Sequence, residues 1–161
     1  MKMEWMGEYR DVVEALIQYC NIYAAVYKEE RMAFEGISYS YSQVQVLEYL
    51  LENEERRENM SSIASRLGIS RSNFTKIVNR LAAKGLVEKT SVGSSKRELT
   101  VTVNALGRAL YEEYSQRILK HHFQPMFQEL EEVPHHLYPH IAAALRDAMY
   151  GGKRSCPEDA E

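Results

Sequence analysis

The stretch IASRLGISRSNFTKIVNRLAAKGLVEK, residues 63–89, limits the architectures open to this chain more than any other. It holds two apolar periods of helical spacing, each with its own start and stop. Asn59 or Ser61 can cap a short helix carrying Ile63, Ala64 and Leu67, and Gly68 can end it in the left-handed conformation that glycine adopts at little cost. Ser70 can then cap a second helix with Phe74, Ile77, Val78 and Leu81 on its inner face, ended by Gly85. Two short helices joined by Gly68-Ile69-Ser70 predict a helix-turn-helix.

Beyond Gly85 the period changes from helical to alternating. LVEKT and ELTVTV are rich in Val, Thr and Leu, as strands are, and SVGSSKR between them offers glycine and serines for a turn. The expectation is a β-hairpin, a wing, beside the helix-turn-helix. Asn104 is placed to cap a further helix through Leu110, Tyr114 and Ile118.

Upstream, Trp5, Tyr9, Val12, Val13, Leu16, Ile17, Cys20, Tyr23, Ala24 and Tyr27 recur every three or four positions. This predicts one long helix from Glu4 to about Arg31 with a continuous apolar stripe, which calls for another long helix as partner. Ser40 and Gln43 have capping-box spacing at the start of the next helix, with Tyr39 and Val44 as a staple and Val44, Leu47, Leu50 and Leu51 as its buried face. The run ENEERREN reads as that helix's solvated end and loop. Pro125, Pro134 and Pro139 interrupt the pattern downstream, and HIAAALRDAMY predicts a helix that stops at Gly151-Gly152.

With 161 residues the chain has room for one domain with a real core or two small lobes sharing one. Its 45% hydrophobic and 27% charged content suits a soluble globular protein, and no apolar run approaches the roughly 20 residues that span a bilayer. The opening MKMEWMGEYR lacks a secretory apolar region, and Cys20 and Cys156 make no disulfide framework, so the expected location is cytoplasmic, with no membrane partner. The chain offers no nucleophile–base arrangement, Gly-rich phosphate loop or strong metal motif, so neither enzymatic activity nor a cofactor is expected.

The net charge of −3 conceals an asymmetry. Residues Asn59–Arg108 hold nine basic and two acidic side chains, leaving eleven basic and twenty-one acidic elsewhere. Within Arg66–Lys89 six basic residues face one acid, Glu88. So positive a segment in an acidic chain points to a polyanionic partner. On the second helix Ser72, Lys76 and Asn79 lie opposite the apolar face, flanked by Asn73, Thr75 and Arg80, with Ser70 and Arg71 at its amino end. These groups can bond base edges or phosphates, and no carboxylate stands among them. Lys96 and Arg97 at the hairpin could reach a minor groove. The rival reading is a winged-helix interaction module whose basic face docks an acidic protein.

The order of elements resembles the MarR family of winged-helix transcriptional regulators along nearly the whole chain. IASRLGISRSNFTKIVNRLAAKGLVEK, SSKRELTVTV and NALGRAL are similar to that family's helix-turn-helix, wing and following helix. The resemblance implies a mainly α fold with a small β-hairpin wing. Residues 1–38 would form an N-terminal dimerisation helix, 39–103 the DNA-binding domain, 104–152 the C-terminal dimerisation helices and 153–161 a tail. It further implies a homodimer with one wing module on each half of a pseudo-palindromic double-stranded DNA operator. Repression would be relieved by a small aromatic or anionic ligand bound between the DNA-binding and dimerisation regions. Tyr23, Tyr41 and Tyr114 are the candidate ligand residues. The family's wing usually reads Asp-Arg-Arg, whereas this chain has Ser95-Lys96-Arg97. The carboxylate that orients the arginine is missing, which implies looser wing contacts or a different support.

Two sensing variants of such a regulator also have candidates, a thiol-sensing one with Cys20 as its redox residue and a metal-sensing one with the histidines. Cys20 lies within the first apolar stripe, where a buried cysteine away from cations is ordinarily an inert small hydrophobe. All five histidines, His121, His122, His135, His136 and His140, fall in one segment, but Pro139 breaks the helical spacing of the last two and no metal site is expected.

Overall fold

A computed structural model describes residues 4–56, 58–91 and 99–150. The described residues fall into two compact units that divide between Tyr114 and Ser115.

The first unit begins with a 3-10 turn, Glu4–Tyr9, broken at Gly7 (φ 52°, ψ −133°), followed by α1, Arg10–Val26. The single helix expected from Glu4 to Arg31 is therefore shorter at both ends. Beyond α1 the strands β1, Met32–Phe34, and β2, Ile37–Tyr39, pair antiparallel. Their two-residue turn, Glu35-Gly36, has positive φ at both positions (48° and 80°), the geometry whose twist matches paired strands. Strands of three residues are too short to show alternation, so the sequence pattern misses this hairpin.

Helix α2, Tyr41–Arg56, buries Val44, Val46, Leu47 and Leu50, while Leu51 is half-buried. Its capping box closes in one direction only. Gln43 Oε1 accepts from the Ser40 N–H at 3.2 Å, but Ser40 Oγ pairs with Ser42 Oγ at 2.9 Å. Helices α3, Met60–Arg66, and α4, Arg71–Ala83, follow, then β3, Val87–Ser91, and β4, Leu99–Val103, paired antiparallel with Val87 opposite Val103. The connecting residues 92–98, with the expected SVGSSKR turn, lie outside the described set.

Ile63, Phe74, Ile77, Val78, Leu81, Leu86, Val87, Val101, Val103 and Leu110 close the core with the α2 face. Burial of side chains this size stabilises by about 1.5–3 kcal/mol each before the entropy of ordering is counted. Helix α5, Ala105–Ile118, is pinned where it enters this core. Asn104 Oδ1 accepts from the Gly107 N–H at 3.0 Å, and its Nδ2 donates to the Gly85 carbonyl at 2.7 Å. A Cβ at Gly107 would lie 2.3 Å from the Leu86 carbonyl oxygen, so glycine here permits the close approach of α5.

The second unit contains the end of α5, a π-helical turn at Leu119–Phe123, α6 (Gln124–Glu131), a 3-10 turn at His135–Leu137 and α7 (Tyr138–Tyr150). Pro125 has no N–H for the carbonyl four residues back. The wider turn, with the Gln124 N–H bonded to the Leu119 carbonyl, accommodates the proline without ending the helical path. Tyr138 donates from its hydroxyl to the Leu130 carbonyl at 2.7 Å. No residue of α6 is buried, and Leu119, Phe123, Met126, Phe127, Ile141 and Leu145 are exposed. The expected stop at Gly151-Gly152 and the tail lie outside the described residues. Among those described, no helix is long and apolar enough to cross a membrane.

Candidate nucleic-acid interface

The helix-turn-helix is built by one device used twice. Helix α3 ends with the Gly68 N–H on the Ser65 carbonyl and the Ile69 N–H on the Ala64 carbonyl, and Gly68 at φ 68°. Helix α4 ends in the same way, with Gly85 on Ala82, Leu86 on Leu81, and Gly85 at φ 70°. This pairing satisfies carbonyls that a helix end otherwise leaves open, and it needs a left-handed residue that glycine supplies. At the amino ends, Asn59 Oδ1 accepts from the Ser62 N–H at 2.9 Å and Ser70 Oγ accepts from the Asn73 N–H at 3.2 Å. Of the two caps weighed for α3, Asn59 is the one used.

Helix α4 buries Phe74, Ile77, Val78 and Leu81 and exposes Arg71, Ser72, Thr75, Lys76, Asn79 and Arg80, with Asn73 half-buried. Several polar groups of this face are already engaged. Ser70 Oγ lies 3.1 Å from Ser72 Oγ, and Thr75 Oγ1 donates to the Arg71 carbonyl at 3.0 Å. Lys89 on β3 donates from Nζ to Asn79 Oδ1, which turns the Asn79 amide so that its NH₂ faces away from the lysine. Sequence reasoning counted Lys89 only as charge. The signal was its position two residues beyond Val87 in an alternating strand, on the face that carries Val87 and, across the pair, Val101.

The basic residues of the segment separate into two groups. The side chains of Arg71, Lys76 and Arg80 hydrogen-bond or ion-pair with no other described residue. Arg66, by contrast, pairs with Glu52 and with Glu58 at 3.1 Å, and its guanidinium lies 4.9 Å from the centre of the Tyr49 ring. These contacts hold the Glu52 carboxyl below its ordinary range. Lys84 pairs with Glu30 at 2.6 Å, and Arg108 pairs with Glu54. The run ENEERREN is thus partly a set of ion-pair partners, beyond the solvated end expected of it. Lys96 and Arg97 lie outside the described residues.

The three candidate ligand tyrosines come together. Ring centres of Tyr23 and Tyr41 are 6.2 Å apart, and those of Tyr41 and Tyr114 are 6.2 Å apart at 74°, with Tyr27 and Tyr39 at the edges of the group. Gln45 Nε2 donates to the Tyr23 hydroxyl at 2.5 Å. Burial pushes the Tyr23 and Tyr114 hydroxyls well above their ordinary value, and neighbouring tyrosines add to the shift. Glu48 raises Tyr114 further, and the adjacent Tyr111, which donates to Glu48 at 2.9 Å, is pushed up to about 12, chiefly by burial.

Cys20, expected to be buried as a small hydrophobe, is exposed, because α1 buries none of its residues in the protomer. Among the described residues, no three His, Cys, Asp or Glu side chains are grouped to hold a metal ion.

Capped α3, glycine turn, α4 and the paired β3–β4 define a winged helix-turn-helix. Residues 36–98 match the sequence model of the MarR family, so this segment carries a MarR-family winged helix-turn-helix. No curated protein matches the chain. Among solved structures it is similar to the PcaV transcriptional regulator of Streptomyces coelicolor in complex with its natural ligand, at TM-score 0.59 and 17% identity over 92% of this chain and 96% of that one. Lactococcus lactis ZitR in complex with DNA gives 0.59 and 16% over 89% and 97%. A MarR/EmrR family regulator from Acinetobacter sp. ADP1 gives 0.60 and 17% over 87% and 93%.

Proposed function

We propose that the protein is a homodimeric, DNA-binding transcriptional repressor that places α4 of each protomer in the major groove of one half of a pseudo-palindromic operator. The observation that carries this reading is the exposed face of α4, where Arg71, Lys76 and Arg80 stand without a carboxylate among them. Cations with no partner among the described residues are available to displace the counterions of a polyanion. Dimerisation is supported by apolar side chains that the protomer leaves uncovered, including Trp5 (77% exposed), Val12 (67%) and Ile22 (68%) on the N-terminal elements. The ZitR complex with DNA supports DNA as the partner.

Release by a small aromatic ligand is the regulatory part of the proposal, supported by the gathering of Tyr23, Tyr41 and Tyr114 and by the ligand complex of PcaV. The tyrosines favour aromatic over anionic character in that ligand, since Glu48 is the charged group acting on Tyr114.

The test is selection of duplex DNA from a random pool, followed by affinity measurements across salt concentrations. Three cations on each of two modules predict a slope of log K against log salt of about −5. A flat response would instead favour docking of an acidic protein.

A further inference from the structure

Lys84 follows the last residue of α4, and each of its three ammonium donors has an acceptor. Nζ lies 2.6 Å from Glu30 Oε1, 2.6 Å from the Ser38 carbonyl oxygen and 3.0 Å from Gln43 Oε1. The acceptors belong to three separate places: the segment after α1, strand β2 and the first turn of α2. Gln43 is 1% exposed, and both polar atoms of its amide are engaged, Nε2 donating to Glu30 at 2.9 Å and Oε1 accepting from the Ser40 N–H as well as from Lys84. Glu30 takes a further bond from Ser38 Oγ at 3.0 Å. Toward the amino end of this segment, the Tyr27 carbonyl accepts from the Ser42 N–H at 3.1 Å and the Tyr23 hydroxyl accepts from Gln45. From Tyr23 to Glu30 the chain is therefore tied to the start of α2, and through Lys84 to the end of α4.

We propose that Lys84 is a positioning residue for DNA recognition, a strut whose ammonium, held by Glu30, Ser38 and Gln43, fixes the end of α4 to the segment leading out of α1. The inference rests on the DNA-binding reading above. A lysine beside a recognition helix would ordinarily be assigned to phosphate. Here its donors are occupied within the protomer, and its side chain is only 21% exposed.

The sign of one substitution separates the two roles. Glu30→Gln removes an acid from a protein that binds a polyanion, so charge alone would leave binding unchanged or tighten it. The strut requires binding to weaken, about three- to tenfold, because the ammonium loses its charged partner. Lys84→Met should weaken binding similarly with the salt slope unchanged, whereas a lost phosphate contact would take about one unit from the slope in each half-site. The double variant should bind no more weakly than the weaker single variant, as expected for two residues acting through one interaction.

The experiment measures these variants of the full chain on the duplex selected by the wild type, at several salt concentrations, together with amide hydrogen exchange in the DNA-free proteins. Weaker binding by Glu30→Gln, with faster exchange in the last turn of α4 and in β1–β2, supports the strut. Unchanged or tighter binding by Glu30→Gln, or a reduced slope for Lys84→Met, overturns it. Should Lys84→Met fail to fold, the conservative Glu30→Gln decides alone. A wild type that binds no duplex sinks the DNA-binding reading. Exchange then still judges the contact, with acceleration in Glu30→Gln supporting the strut and unchanged exchange overturning it.

Discussion

Helix α4 holds Phe74, Ile77, Val78 and Leu81 at 4% exposure or less, whereas α1, four residues longer and richer in apolar side chains, buries none. In sequence both present apolar residues at helical spacing. The difference lies in what the rest of the protomer offers each face. Helix α4 meets α2, α3 and β3 within its own unit. Val12, Ile17, Tyr19 and Ile22 of α1 remain exposed, as do Met126 and Phe127 of α6 in the second unit. An apolar period therefore says that a face will be covered, and not by which chain.

Substitutions can break or sharpen this contrast. The largest effect is expected inside the module. Gly107→Ala would ordinarily stabilise a helix interior by about 1 kcal/mol. Here the added methyl meets the Leu86 carbonyl and Val103 Cγ1 at 2.3 and 2.7 Å, so a loss of roughly 1–3 kcal/mol is expected in denaturant unfolding. A stabilised variant would show that α5 does not approach so closely.

On α1 the outcome should be the opposite in kind. Ile22→Glu should leave the protomer's fold within about 0.5 kcal/mol of the wild type. The assembly should shift toward monomer in analytical ultracentrifugation at micromolar concentration, with DNA affinity falling alongside. Ile22 is a better probe than Leu16 or Tyr23, which are half-buried within the protomer. A dimer that survives the charge unchanged would remove α1 from the interface.

The two groups of cations extend the comparison to function. Arg80→Ala, on the exposed face, should lower the salt slope by about one unit per half-site, on operator and scrambled duplex alike. Lys76→Ala should cost roughly 1–3 kcal/mol on the operator and less on scrambled DNA if Lys76 reads a base. Equal losses on both duplexes would place Lys76 on phosphate.

The smallest effect is a dependence on acid. Hydrogen bonds from Lys84, then from Ser38 and Gln43, hold the folded Glu30 carboxyl below its ordinary 4.5. A depressed folded value means that this contribution is present above about pH 4.5 and is lost as pH falls through the folded value. Melting temperature followed from pH 6 to pH 3 should therefore fall less in Glu30→Gln than in the wild type. Identical acid limbs would show that the carboxylate adds nothing to folding.

The features legible in sequence share a length scale. Asn59, Gly68, Ser70 and Gly85, and Asn104 in its cap to Gly107, act on groups within five residues, so these roles follow from local backbone geometry and the need to satisfy helix ends. Alternation over five-residue strands was enough to place β3 and β4, while β1 and β2 were too short to show it. Of the candidate site, the outward face of α4 followed from its apolar period. The engagement of Asn79 by Lys89, ten residues away, did not.

By itself the sequence determined the helix-turn-helix, its caps and turns, the strand pair beside it and the concentration of positive charge, because each follows from propensity or spacing along the chain. Tertiary structure decided which of those charges remain available. Arg66 and Lys84 stand in the same basic run as Lys76 and Arg80, yet Arg66 is neutralised by Glu52 and Lys84 by Glu30, the latter 54 residues away. Tertiary structure likewise gathered Tyr23, Tyr41 and Tyr114 and left Cys20 at the surface. The physical reason is range: a cap or turn is satisfied by near neighbours, whereas ion pairs and ring contacts depend on which segments folding brings within a few ångströms.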